Sequence, residues 1–72
     1  RIPPHHQLQG VPHSAGTVEH LVVAAGEVTA GPTEALVQLR TGDMLAFAGD
    51  TPHVYITADM PADVTVVMAH PR

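Results

Sequence analysis

Thr41-Gly42-Asp43-Met44-Leu45-Ala46-Phe47-Ala48-Gly49-Asp50-Thr51-Pro52-His53 is the stretch whose reading decides the fold. It predicts a tight turn at Gly42-Asp43, a short apolar strand from Met44 to Ala48, a second turn over Gly49-Asp50-Thr51-Pro52, and a histidine that opens the next strand. The Gly-Asp pair supplies the positive φ that a two-residue hairpin turn needs. His53 then stands at a strand mouth, where a small β-barrel places a side chain for a ligand or a metal.

Working outward, His53 to Ala58 reads as a strand, Asp59-Met60-Pro61-Ala62 as a turn, and Asp63 to His70 as a last, very apolar strand. On the other side, Glu34 to Leu39 reads as a strand, preceded by a short strand from Glu27 to Ala30 that Gly31-Pro32 closes. Thr17 to Ala25 is rich in β-branched and apolar residues, and Gly26 ends it. Along that strand Thr17, Glu19, Leu21 and Val23 share one face, with Val18, His20, Val22 and Ala24 on the other. Glu19 and His20 therefore point in opposite directions, and whichever lies among apolar neighbours needs a partner or a metal. Residues 1–11 read as an extended arm, with an edge strand around Gln7 to Gln9 that the prolines restrict to a sheet margin. No segment sustains a helical repeat. Six or seven short strands with turn signals between them indicate an all-β sandwich or barrel over residues 12–72.

Composition narrows the function. Three basic against seven acidic residues give a net charge of −4, with no lysine, so this chain does not itself grip nucleic acid. One Phe and one Tyr offer almost nothing for bases to stack on. No apolar run approaches the roughly 20 residues that cross a bilayer. Without cysteine there are no disulfides and no thiolate zinc sites. A core this small needs help from oligomerisation, a histidine or carboxylate metal site, or further chain. The chain opens on Arg1 with no charged-then-apolar leader, which reads as part of something longer, and the expected location is the cytoplasm. Of six histidines, His5, His6 and His70 read as surface residues and His20 as structural. Asp43 and Asp50 read as turn residues, and Met44, Met60 and Met68 as packing.

Glu19-x6-Gly26 and Gly42-x10-His53, in that order and with a strand-rich insert between, resemble the two motifs of the cupin superfamily. The first cupin motif is G-x5-H-x-H-x3or4-E-x6-G and the second is G-x5-P-x-G-x2-H-x3-N. The chain departs from them: the paired first-motif histidines are not there, His13 lying six residues before Glu19, Ala48 and Asp50 replace the second motif's proline and glycine, and Thr57 replaces its asparagine. The run from Pro12 to Leu21, Gly26, Gly42 to Phe47 and Pro52-His53 is similar to the C-terminal cupin domain of XRE-family helix-turn-helix transcriptional regulators.

The resemblance implies a cupin-type double-stranded β-helix, a jelly-roll barrel of short antiparallel strands. It implies a domain that senses a small-molecule effector and meets DNA only through an N-terminal domain outside this chain, and the thin core makes a homodimer the expected assembly. Glu19 and His53 carry over from the cupin metal site, with His13 a third ligand if the turn at Ser14-Ala15-Gly16 bulges. One divalent ion, Zn, Mn, Fe or Ni, would suit two histidines and a carboxylate. Tyr55 and Thr57 share the strand face of His53, so Glu19, His53, Tyr55 and Thr57 are the expected ligand contacts. A small metal-dependent oxygenase or isomerase, and a dimerisation module without a ligand, are the alternatives. No catalytic residue is assigned.

Overall fold

The computed structural model describes residues 1–71; Arg72, the end of the expected 12–72 domain, lies outside the described residues. In chain order the strands are β1 (Gln7–Gly10), β2 (Val18–Ala25), β3 (Glu27–Pro32), β4 (Val37–Arg40), β5 (Met44–Ala48), β6 (His53–Ile56) and β7 (Asp63–Ala69). Every pairing between them is antiparallel, in a four-stranded sheet of order β1-β6-β3-β4 and a three-stranded sheet of order β5-β2-β7. Among the described residues there is no helix. The all-β barrel of short antiparallel strands is as expected.

Two faces meet in one core. In the three-stranded sheet Leu21, Val23 and Phe47 turn inward, and in the four-stranded sheet Val28, Ala30 and Leu39 face them, all of them buried. Strict alternation along each strand puts these residues on one side of the pleat, and burial of that side is the main force holding the sheets together. Leu45, Tyr55, Val64 and Val66 pack around this cluster. Ile2, buried at the edge of the same cluster, forms an isolated antiparallel bridge with Ala62.

The deciding stretch folds differently from its simplest reading at one point. Gly42 has φ of 92° and the Asp43 N–H donates to the Arg40 carbonyl at 2.9 Å, so the turn is real. It is not a hairpin, however, because β4 and β5 belong to different sheets. The Gly42 N–H donates to the Val23 carbonyl at 2.8 Å and the Val23 N–H to the Asp43 carbonyl at 3.0 Å, which hands the chain to β2 instead of back to β4. The turn is thus a corner between sheets.

Boundaries shift elsewhere. β3 runs through Gly31-Pro32, and β4 starts at Val37 rather than Glu34, because the Ala35 N–H donates to the Pro32 carbonyl at 2.9 Å and uses residues 32–35 as the turn. β6 ends at Ile56, where the chain leaves the ladder to meet the arm. The arm lies on this chain's own β6, with Gln7 opposite Ile56 and Gly10 opposite His53. Of the three methionines expected to pack, Met44 and Met60 are about two-thirds exposed and Met68 is 43% exposed, since each lies outside the inner face or at its open end.

Candidate functional site

Glu19 is the centre of the site. The alternation of β2 that buries Leu21 and Val23 also carries Glu19 inward, to zero exposure. A carboxylate in such a place must be met by donors or by a cation. Its Oε1 accepts a hydrogen bond from the Tyr55 hydroxyl. Its Oε2 lies 2.9 Å from His53 Nε2 and 3.5 Å from His13 Nε2, and is otherwise a buried oxygen without a hydrogen-bond partner.

His53 opens β6 and is 3% exposed. Its Nδ1 is 2.7 Å from the Thr51 carbonyl, which can only accept, so Nδ1 carries the hydrogen. In the neutral ring Nε2 then presents a lone pair to a carboxylate oxygen. Two acceptors at 2.9 Å need a proton or a cation between them. A backbone carbonyl holding the far nitrogen of a histidine is the usual support of a metal-binding imidazole.

His13 reaches the trio because its N–H donates to the Gly49 carbonyl at 2.9 Å, which pins the turn that follows. It sits six residues before Glu19, the outer of the two first-motif positions; the inner, four before, is Ala15, which is exposed. The ligand atoms of His13, Glu19 and His53 all lie within 4.8 Å of one another. Donors about 2.1 Å from a shared ion are roughly 3.0–3.4 Å apart, and the two separations from Oε2 bracket that range. The residues present therefore fit a divalent ion in geometry, in donor chemistry and in the one buried side-chain oxygen without a partner among the described residues. The side chain of His13, 31% exposed, is the trio's opening to solvent.

Tyr55 belongs to the same interior. Burial first, then the hydrogen bond to Glu19 and its charge, raise the pKa of the phenol well above the usual tyrosine value. It stays protonated and donates. Thr57 is also buried, but its hydroxyl is engaged elsewhere: it donates to the Pro3 carbonyl at 2.5 Å and accepts from the His6 N–H at 3.1 Å, clasping the arm. His20 points to the opposite face of β2 and is half-buried there. Asp43 and Asp50 are turn residues as expected, accepting from the Arg40 and Gly16 N–H groups at 2.8 Å each.

Two glycines make the site possible and were not legible as site residues. A Cβ at Gly10 would collide with the His53 ring, and one at Gly49 would come within 2.9 Å of Glu19 Oε2. The signal for Gly10 is only visible once β1 lies across β6. Two surface clefts, of about 550 and about 170 Å³, lie elsewhere; the larger is lined by Pro32, Thr33, Glu34, Ala48, Thr51 and Pro52 and touches the site only through Thr51.

No protein-family model and no curated protein matches the sequence. Among solved structures, the chain is similar to the Cupin_2 domain of an XRE family transcriptional regulator from Enterobacter cloacae, with a TM-score of 0.91 and 31% identity over 97% of this chain and 75% of that one. It is similar too to an HTH_3 family transcriptional regulator from Vibrio cholerae, with a TM-score of 0.90, 30% identity and 97% of this chain covered; it spans 39% of that chain. Shared sequence at this level, carried through nearly every strand of a shared barrel, shows that this chain belongs to the cupin family as a Cupin_2-type domain.

Proposed function

We propose that the domain is the small-molecule-sensing part of a transcriptional regulator whose DNA-binding domain lies outside this chain. The observation that carries the reading is Glu19 Oε2, fully buried and unpartnered between two imidazole nitrogens on a chain with the acidic balance of a domain that avoids DNA. The similarity to domains of regulators supports the same reading.

His13, Glu19 and His53 would hold a divalent ion here. Such an ion, when bound, supplies a positive centre with open positions for a small polar or anionic effector. The chain's own groups do the rest. Thr51 fixes the His53 ring, Tyr55 holds Oε1 so that Oε2 faces the histidines, and His13 stands at the solvent side where an effector arrives. The strand β6 carries His53 and Tyr55, pairs with β1, and is followed by Thr57, which clasps Pro3 and His6. A ligand that prefers one setting of His53 thereby biases the arm that leads to the preceding domain; only that difference in affinity does work. Operator binding by the full-length regulator, followed while metal and candidate anions are added, tests this. A shift in operator affinity is expected, and none with any saturating ligand removes the proposal.

The homodimer in this reading has a surface to use. On the outer side of the three-stranded sheet Val18, Val22, Met44 and Val67 are exposed around His20. A second reading, a small metal-dependent oxygenase or isomerase, is favoured by the same trio. Stoichiometric iron or manganese with turnover in the purified protein would establish it, and an unreactive protein would close it.

A further inference from the structure

We infer that His70, from the opposite end of the chain, supplies the imidazole that Ala15 does not, as a fourth ligand to the ion held by His13, Glu19 and His53. The inference rests on the metal-binding part of the function proposed above.

The register of the sheet carries the first step. Ala69 pairs with Val18 and Met68 with Glu19, so the next pair along is His70 with Thr17. By strand alternation His70 therefore lies on the inner side, the side of Thr17 and Glu19, two pairs along from Glu19 itself. The contacts agree: His70 Nδ1 is 3.2 Å from the buried Thr17 hydroxyl, and the ring stands edge-on to His13 with ring centres 6.3 Å apart. The C-terminal end also covers the turn where the inner first-motif histidine would have been, since Pro71 Cγ lies 3.3 Å from where a Cβ on Gly16 would be.

The second step is chemical. The Thr17 hydroxyl can either accept from or donate to Nδ1; in the tautomer whose Nδ1–H donates to it, Nε2 of His70 keeps its lone pair, as the Thr51 carbonyl requires of His53. Thr17 is itself fixed, its N–H donating to the Ser14 carbonyl at 3.1 Å and its carbonyl accepting from the Gly49 N–H at 2.9 Å. The ligand atom of His70 lies outside the compact trio. The remaining gap is small. Two imidazoles on one ion through bonds of about 2.1 Å have ring centres roughly 4.5–5.5 Å apart; His13 and His53 stand at 5.6 Å and His13 and His70 at 6.3 Å. Metal binding has to draw the exposed His70 ring toward the trio to close that difference.

The test is nitrogen NMR of the histidine rings while Zn²⁺ is added to the protein, with His70→Ala and His13→Ala alongside. His70 is exposed, so His70→Ala keeps the fold, which the amide spectrum verifies. Expected are metal-bound Nε2 shifts at His13, His53 and His70 together, and a loss of zinc affinity of at least about tenfold in His70→Ala. Shifts at His13 and His53 alone, with His70 unmoved and affinity changed by no more than about twofold, overturn the inference and leave the trio standing. No shift at any of the three, or shifts only at His5 and His6, overturns both.

Discussion

Glu19 and His20 are consecutive ionisable residues on one strand, yet they live in different solvents. The Glu19 side of β2 is shared with Leu21 and Val23, near Phe47, and three of its polar neighbours are tied: Tyr55 to the carboxylate, His53 to the Thr51 carbonyl, Thr17 to Ser14 and His70. The His20 side is an open, uncharged sheet surface of Val18, Val22, Met44, Ala46 and Val67. One pleat separates a polar site embedded in the core from an apolar patch facing out. Burial makes an ionisable group costly unless it is partnered. On the function proposed above, chemistry belongs on the first face and association on the second.

Four measurements press on that contrast, beginning with the largest effect. Glu19→Gln should weaken Zn²⁺ binding by more than about 100-fold, above the 10–100-fold typical of losing a supporting partner, read by competitive titration. Its unfolding free energy should stay within about 1 kcal/mol of the parent, because the amide still accepts from Tyr55 and offers an N–H to His53 Nε2. An equally large loss of stability would mean that the carboxylate is structural. Next, Gly10→Ala should cost about 2 kcal/mol in urea unfolding, the usual penalty of overpacking, as the new methyl displaces the His53 ring. A neutral result would show that β1 does not hold His53.

Tyr55→Phe should cost about 1.5 kcal/mol, the low end for a hydrogen bond to a charged group. The parent carries a pH signature. A phenol whose pKa is raised in the fold above the ordinary tyrosine value of about 10 contributes stability that is fully present below about pH 10 and is lost as pH rises toward the folded value. With one tyrosine and no tryptophan, phenolate absorbance should develop only as the protein unfolds, and Tyr55→Phe should flatten the alkaline loss. The smallest effect is His20→Ala, within about 0.5 kcal/mol for the isolated chain, as for most surface changes. A larger cost that grows with protein concentration would locate a dimer on the outer face.

Much of this was readable beforehand, for physical reasons that differ by residue. Alternation placed Glu19 with Leu21 and Val23, and spacing tied Glu19 and His53 to a family, because both depend on neighbours in sequence. Gly42-Asp43 was readable as a turn but not as a corner between sheets, since a turn's dihedral angles do not say which strand receives the next one. Thr57 shares a face with His53 by parity, yet its hydroxyl clasps Pro3 and His6, partners about fifty residues away. His70 reads as a surface residue and is exposed, but nothing near it in the chain hints that Thr17 and His13 stand beside it.

By itself the order of residues determined the strands, the inward side of each, and a buried carboxylate that demands company. Which groups answer that demand was decided only when β1, β6 and β7 closed around β2. Local patterning reports where a side chain points, whereas contacts between distant segments depend on register and on the space that residues such as Gly10 and Gly49 leave open.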